Sequence, residues 1–102
     1  MMTTLFATSL DSTRIAYDVS GARTPILLLH GGGGNRLEWH EAGYVDRLKD
    51  EFTVITVDLR GHGESDKPND PAMYITEKMG QDILAVADAC KFERFVLWGY
   101  SF

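Results

Sequence analysis

Three apolar segments of this chain each end in a loop of small and polar residues. The segments are ILLL at 26–29, FTVITV at 52–57 and FVLW at 95–98, and they are followed by HGGGGN, DLRGHGESD and GYS. The four consecutive large apolar residues of ILLL are typical of a strand buried on both faces of a parallel sheet. The pattern therefore predicts an α/β fold with its functional residues in these loops, because parallel sheets bind ligands at the carboxyl ends of their strands.

The segments before and between these strands complete the layered pattern. TLFATSL and TRIAYDV, joined by Asp11 and Ser12, predict two strands linked by a turn. We expect one helix from Asn35 as its cap to about position 48, although Gly43 disfavours its middle. A second helix with Thr76 as its N-cap follows the loop at 60–71, and its apolar stripe consists of Met79, Ile83, Val86, Ala87 and Cys90. The predicted order is β-β-β-α-β-α-β, with a mostly parallel sheet and flanking helices.

Composition excludes several classes of function. The 102 residues make one domain at most, and a net charge of −5 argues against a nucleic-acid or anionic-membrane partner. The amino-terminal residues lack the features of a signal peptide, and no apolar run is long enough to cross a membrane. Since Cys90 is the only cysteine, neither an intrachain disulfide nor a cysteine-based metal site is predicted. We expect a cytoplasmic protein.

The glycine run after the first apolar segment needs a reason, because four glycines cost backbone entropy on folding. They allow main-chain N–H groups to approach a ligand without an intervening Cβ. The structural alternative is a flexible connection between a strand and a helix. A phosphate loop is disfavoured, since GGGGN has neither the Walker lysine nor the GxGxxG spacing.

The other two loops are each ambiguous alone. Asp58, His62 and Ser65 are candidate functional residues at a strand end, but a polar loop whose side chains bond its own backbone is the favoured interpretation. Gly99 and Ser101 supply two positions of G-x-S-x-G, the nucleophile elbow, directly after a strand. Alone, GYS fits any loop serine.

Together, in this order and with this strand spacing, the three stretches resemble the α/β-hydrolase fold over the whole chain. HGGGGN looks like the oxyanion loop after the third strand, DLRGHGESD like the loop after the fourth, and WGYSF like the elbow after the fifth. The resemblance implies that residues 1–102 are the N-terminal portion of a single α/β-hydrolase domain. In the complete fold FVLW would be a central strand, paired on both edges.

The resemblance also assigns roles to single residues. Ser101 would be the nucleophile that forms an acyl-enzyme. The oxyanion hole would use the N–H of Phe102 and that of Gly32, with Gly33 as the next candidate. His30 and Gly31 would shape the loop near the site. Neither a metal nor an organic cofactor is implied.

The catalytic acid and histidine are expected in a C-terminal part that this chain does not contain. In this family they follow the serine, whereas His30, His40 and His62 all precede it. We interpret His30 as a loop anchor, His62 as structural and His40 as a surface residue. Asp58 and Asp66 also precede the serine, which makes them poor candidates for the acid.

The serine at the elbow narrows the expected chemistry. The resemblance implies that members of the α/β-hydrolase family that open epoxides or displace halide carry aspartate at this position. Ser101 indicates an ester, lactone, thioester, amide or activated C–C bond in a small acyl substrate. The chain would be active only with its C-terminal remainder as partner. The alternative is a non-catalytic ligand-binding protein on the same scaffold, which would lack the downstream acid and histidine.

Overall fold

The computed structural model describes residues 3–100, which form one mixed five-stranded sheet covered by helices. The strands are β1 (Leu5–Thr8), β2 (Arg14–Ser20), β3 (Thr24–Leu29), β4 (Phe52–Val57) and β5 (Val96–Gly99). The helices are α1 (Leu37–Glu41), α2 (Tyr44–Leu48) and α3 (Thr76–Ala89), with a short 3-10 helix at Pro71–Tyr74 before α3.

The strands lie in the order β1-β2-β4-β3-β5. β1 and β2 form an antiparallel hairpin whose turn contains Ser12 at φ +72°, and β2 pairs antiparallel with β4. β3 lies between β4 and β5 and is parallel to both. The predicted α/β fold is confirmed, and the sheet is mixed because the hairpin strand β2 runs opposite to β4.

Helices cover both faces of the sheet, and β3 contributes alternately to the two cores. Leu27 and Leu29 pack in a cluster with Val86 of α3. Ile26 and Leu28 pack on the other face with Trp39 of α1 and Val45 of α2. Since side chains alternate along a strand, an uninterrupted apolar run fills two cores at once. The run ILLL is apolar for this reason.

β5 was predicted as a central strand, and among the described residues it lies at the edge of the sheet. It pairs with β3 alone, and Val96, Leu97 and Trp98 each expose more than 40% of their surface. An apolar edge strand with unpaired backbone groups is a ready partner for another strand.

The helical boundaries correct three predictions. The single helix expected over 35–48 is divided into α1 and α2, because Gly43 has a left-handed φ of +85° that ends the first helix. Arg36 occupies the N-cap of α1, although Asn35 Oδ1 does accept the Leu37 N–H at 2.9 Å. Thr76 is the first residue of α3 rather than its cap, since Ile75 is the last extended residue. Within residues 3–100, no helix has the length and apolar character needed to cross a bilayer.

Candidate active site

The carboxyl ends of β3, β4 and β5 meet at one edge of the sheet. Leu29 aligns with Val57 of β4 on one side and with Gly99 of β5 on the other. Tyr100 continues this alignment, since its N–H donates to the Leu29 carbonyl at 3.1 Å. Ser101 and Phe102, the predicted nucleophile and oxyanion donor, come next in the chain and lie outside the described residues. The three loops singled out in the sequence therefore begin side by side.

The glycine loop after β3 is a tight turn with one left-handed residue. Gly34 N–H donates to the Gly31 carbonyl at 3.1 Å, and Gly33 has φ +82°, a conformation that favours glycine. Gly33 N–H donates to Nε2 of His62 at 3.1 Å. No acceptor among residues 3–100 takes the Gly32 N–H, and a Cβ at Gly32 would meet none of their atoms within 4 Å. Of these two candidate donors, Gly32 is the one whose N–H is not used inside the described part of the chain.

His30 joins this loop to the loop after β4. The ring is buried, its Nδ1 lies 2.7 Å from the Gly31 carbonyl, and its Nε2 accepts the Leu59 N–H at 3.1 Å. A carbonyl only accepts and a backbone N–H only donates, so Nδ1 carries the hydrogen and the imidazole is neutral. Burial is the main reason that the pKa of His30 is lowered from its ordinary value, which favours the same neutral form.

The loop after β4 is held by its own polar side chains. Ser65 Oγ donates to the Asp58 carbonyl at 2.7 Å and accepts the Ala16 N–H at 2.8 Å. Nδ1 of His62 lies 3.0 Å from the Arg60 carbonyl. Asp58 is fully buried and accepts the Glu64 N–H at 2.9 Å. These contacts match the favoured interpretation of the loop, in which its side chains bond the backbone.

Arg36, which sequence reasoning did not single out, joins the two loops through a buried ion cluster. Its side chain is 2% exposed, and Nε lies 2.9 Å from Oδ2 of Asp18 on β2. Nη1 bonds Oδ2 of Asp58, and the Arg36 N–H donates to the other oxygen of that carboxylate at 2.7 Å. Burial opposes the charge of Arg36, but the neighbouring carboxylates outweigh it and raise its pKa. The end of the glycine loop is thus fixed to both β2 and the end of β4.

Arg60 forms a second buried cluster behind the site. Its guanidinium bonds both carboxylate oxygens of Asp82 on α3, at 2.7 and 2.6 Å, and both oxygens of Asp11 in the hairpin turn, at 2.9 and 3.2 Å. It also donates to the Met73 carbonyl at 2.7 Å. The hydrogen bonds that Arg60 donates to Asp82 raise the pKa of Arg60, and the hydrogen bonds that it donates to Asp11 lower the pKa of Asp11. One side chain therefore secures the second loop to three separate elements.

The prediction that His40 is a surface residue is wrong. Its side chain is 20% exposed, and Nε2 lies 2.8 Å from Oδ1 of Asp18 and 3.4 Å from Oγ1 of Thr56. The cause is the buried carboxylate of Asp18, which faces α1 from β2 and has one oxygen that Arg36 does not bond.

Two positions in the sequence signalled these clusters. Asp18 interrupts the apolar part of β2, and Asp82 lies on the apolar stripe of α3 between Met79 and Val86. A carboxylate at such a position is rarely buried without a cationic partner. The pattern predicts a buried ion pair, but it does not tell which of the ten basic residues supplies the cation.

An open cleft of about 320 Å³ lies beside these loop ends. The cleft is lined by five aromatic side chains, one carboxylate and one alanine: His30, Glu38, Trp39, Ala42, Tyr44, Trp98 and Tyr100. Sites for small molecules are typically apolar clefts of this size or larger with a few polar groups. Within the described part of the chain, no three His, Cys, Asp or Glu side chains are grouped to hold a metal ion.

Comparisons with known proteins agree with this geometry. A family model described as alpha/beta hydrolase fold matches residues 24–102. An uncharacterized protein of Mycobacterium bovis is 39% identical over 86% of this chain and 25% of its own length. Fluoroacetate dehalogenase of a Burkholderia species is 39% identical over 81% of this chain and 28% of its own length. The crystal structure of an alpha/beta hydrolase from Novosphingobium aromaticivorans superposes with a TM-score of 0.82 at 29% identity, over 94% of this chain and 34% of that one. The chain thus spans about a quarter to a third of the length of these relatives.

Proposed function

Since the chain belongs to the α/β hydrolase fold family, we propose that it is the N-terminal part of a serine hydrolase that acts through an acyl-enzyme at Ser101. The observation that carries this proposal is the meeting of the carboxyl ends of β3, β4 and β5 at one sheet edge, with Tyr100, the residue before Ser101 in the sequence, bonded to the end of β3. A nucleophile elbow follows a strand in the same way, which supports the proposal.

The proposed reaction begins when Oγ of Ser101 attacks the carbonyl carbon of a small acyl substrate. Its proton passes to a histidine supplied by the rest of the fold, which then returns it to the leaving group. The negative charge on the carbonyl oxygen is stabilised by the N–H groups of Gly32 and Phe102. The acyl-enzyme is hydrolysed by water. The Gly32 N–H, which has no acceptor among residues 3–100, supports this assignment over Gly33, whose N–H is bonded to His62.

The residue at the elbow decides among the chemistries of the family. The relatives include a fluoroacetate dehalogenase and a soluble epoxide hydrolase from a Corynebacterium species. The resemblance implies aspartate at the elbow of members that carry out these two reactions, and this chain has Ser101. We therefore propose ester, lactone, thioester, amide or activated C–C bond cleavage.

The rest of the hydrolase fold is the proposed partner of this chain. β5 exposes Val96 and Trp98 and leaves one backbone edge unpaired among the described residues. A following strand would pair with that edge, and a helix would cover the apolar face, as in a sheet whose central strands are buried. The acid and histidine would come from that part.

A fluorophosphonate probe tests the proposal without knowledge of the substrate. The full-length protein is treated with the probe, digested, and analysed by mass spectrometry. We expect the adduct on Ser101, because an activated serine attacks the phosphorus as it attacks a carbonyl. Absence of the adduct from folded protein, or its presence on another serine, contradicts the assignment and favours a ligand-binding protein on this scaffold.

Gly32→Pro tests the oxyanion donor, since proline has no N–H to donate. We expect kcat for p-nitrophenyl acetate to fall by about 100-fold, the scale for losing one such donor. KM should change much less, because the hydrogen bond strengthens mainly in the transition state. Gly32→Ala is the matched control: it retains the N–H and has space for its Cβ, so it should lose far less activity. A folded proline variant with parental kcat contradicts the role of Gly32.

A further inference from the structure

Two histidines join the loop after β3 to the loop after β4 in a reciprocal manner. His30 on the first loop accepts the N–H of Leu59 on the second. His62 on the second loop accepts the N–H of Gly33 on the first, at 3.1 Å. The two ring centroids are 5.0 Å apart. We call this pair of rings with its two cross-loop hydrogen bonds the histidine clasp.

The clasp requires a neutral His62. Nδ1 faces the Arg60 carbonyl at 3.0 Å, and a carbonyl only accepts, so Nδ1 carries the hydrogen. Nε2 must then be unprotonated in order to accept the hydrogen bond from the Gly33 N–H. A protonated ring would direct a second N–H against the Gly33 N–H, and the hydrogen bond between the loops would be lost.

This hydrogen bond bears directly on the conformation of the glycine loop. Gly33 has φ +82°, and its N–H is directed at Nε2 of His62. The adjacent Gly32 N–H has no acceptor among residues 3–100. His30 and Arg36 hold the two ends of the loop, and the His62 acceptor is the side-chain contact that holds Gly33 in its middle, where glycine has the most backbone freedom.

We propose that His62 is a positioning residue for the oxyanion loop: its neutral Nε2 binds the Gly33 N–H and thereby holds the loop in the conformation that leaves the Gly32 N–H for the substrate oxyanion. This inference rests on the proposed function, because it assigns the purpose of the hydrogen bond to acyl chemistry.

The surroundings of the two rings disfavour a charge on both. Burial lowers the pKa of His30, and the positive charge of a protonated His62 lowers it further, while Asp58 and Glu38 act in the opposite direction. Asp58 is already bonded to the Arg36 guanidinium. The charged side chains on the two loops and the adjoining start of α1 are Arg36, Glu38, Asp58, Arg60, Glu64, Asp66, Lys67 and Asp70.

Two variants of full-length protein separate the acceptor from the shape of the ring. His62→Phe keeps a ring and removes the acceptor. His62→Gln removes the ring and keeps an acceptor oxygen at about the reach of Nε2. Hydrogen exchange of the Gly33 amide, measured by NMR at one fixed pH, reports the hydrogen bond without any catalysis. Steady-state hydrolysis of p-nitrophenyl acetate reports its effect on the site.

We expect the Gly33 amide of the parent to be protected from exchange, because its N–H donates to His62 Nε2. In His62→Phe that protection should be lost, and in His62→Gln it should be retained. kcat should fall by roughly tenfold or more in His62→Phe with little change in KM, because misplacing a catalytic group by about 1 Å costs up to 100-fold. The glutamine variant should recover most of that loss.

Three outcomes overturn the inference. Equal Gly33 exchange in the parent and a folded His62→Phe variant shows that the hydrogen bond does not form. If Gly33 loses protection but kcat stays at the parental value, the bond exists without positioning the site. If His62→Phe does not fold, a Gly33 amide that exchanges at its intrinsic, unprotected rate in the parent rejects the clasp. A parent without any fluorophosphonate labelling rejects instead the proposed function, and the exchange data still decide whether the clasp is present.

Discussion

Ser101→Ala is expected to abolish both fluorophosphonate labelling and turnover in the full-length protein. Alanine has no hydroxyl with which to form the acyl-enzyme, and the loss of the serine nucleophile from a triad costs on the order of 10⁶-fold in kcat. Little substrate affinity should be lost, since the oxyanion donors and the aromatic cleft are unchanged. Hydrolysis of p-nitrophenyl acetate, followed under single-turnover and steady-state conditions, measures the effect.

Ser20→Ala provides the matched control for this substitution. Ser20 ends β2, far along the sheet from the loop edge, and its hydroxyl forms no hydrogen bond within residues 3–100. This variant should be labelled and should turn over substrate like the parent. Parental turnover by a folded Ser101→Ala protein would mean that another group is the nucleophile or that hydrolysis proceeds without an acyl-enzyme.

Arg36→Met is expected to lower the free energy of unfolding by about 3–5 kcal/mol, the usual cost of removing one partner from a buried ion pair. Methionine fills part of the same volume, but it leaves the buried carboxylates of Asp18 and Asp58 without the cation that lies between them. The substitution also removes the hydrogen bonds from the guanidinium to Thr4 and Glu64. Urea denaturation of the full-length protein, monitored by circular dichroism, measures the change.

The control and the double-mutant cycle identify the cause of that loss. Arg47 is exposed on α2, so Arg47→Met should change stability by no more than about 0.5 kcal/mol. Asp18→Asn should destabilise the parent, and it should cost less in the Arg36→Met background, because it then removes an unpaired buried charge. Additive effects of the two substitutions would show that the ion pair of Arg36 with Asp18 does not account for the destabilisation.

The order of the elements and the position of the site follow from local features of the sequence. The run ILLL is apolar at consecutive positions because its strand packs against helices on both faces, and such a run is recognisable without any tertiary information. Glycines and polar residues directly after each run place the loops at the strand ends. Since parallel strands share one direction, those loops were expected at one edge, where the structure has them.

Local features also set the limits of the prediction. Gly43 was identified as unfavourable in a helix, but only the chain geometry, with φ +85°, shows that it divides the segment into α1 and α2. Thr76 has the right chemistry for an N-cap, yet the helix begins at that residue because Ile75 is extended. Helix ends depend on one or two dihedral angles, and many residue types are compatible with either conformation.

By itself, the sequence determined the layered α/β fold, the three loops and the candidate residues within them, because these depend on periodicity and on residue chemistry at neighbouring positions. Only the tertiary structure decided which charges pair, since Arg36 and Asp18, or Arg60 and Asp82, are brought together by sheet order and helix packing over 18 and 22 positions of sequence. It also decided that the Gly33 N–H is bonded to His62, whereas the Gly32 N–H has no acceptor in the described residues. A hydrogen bond between two loops depends on the distance and direction between them, and no local pattern of residues specifies either.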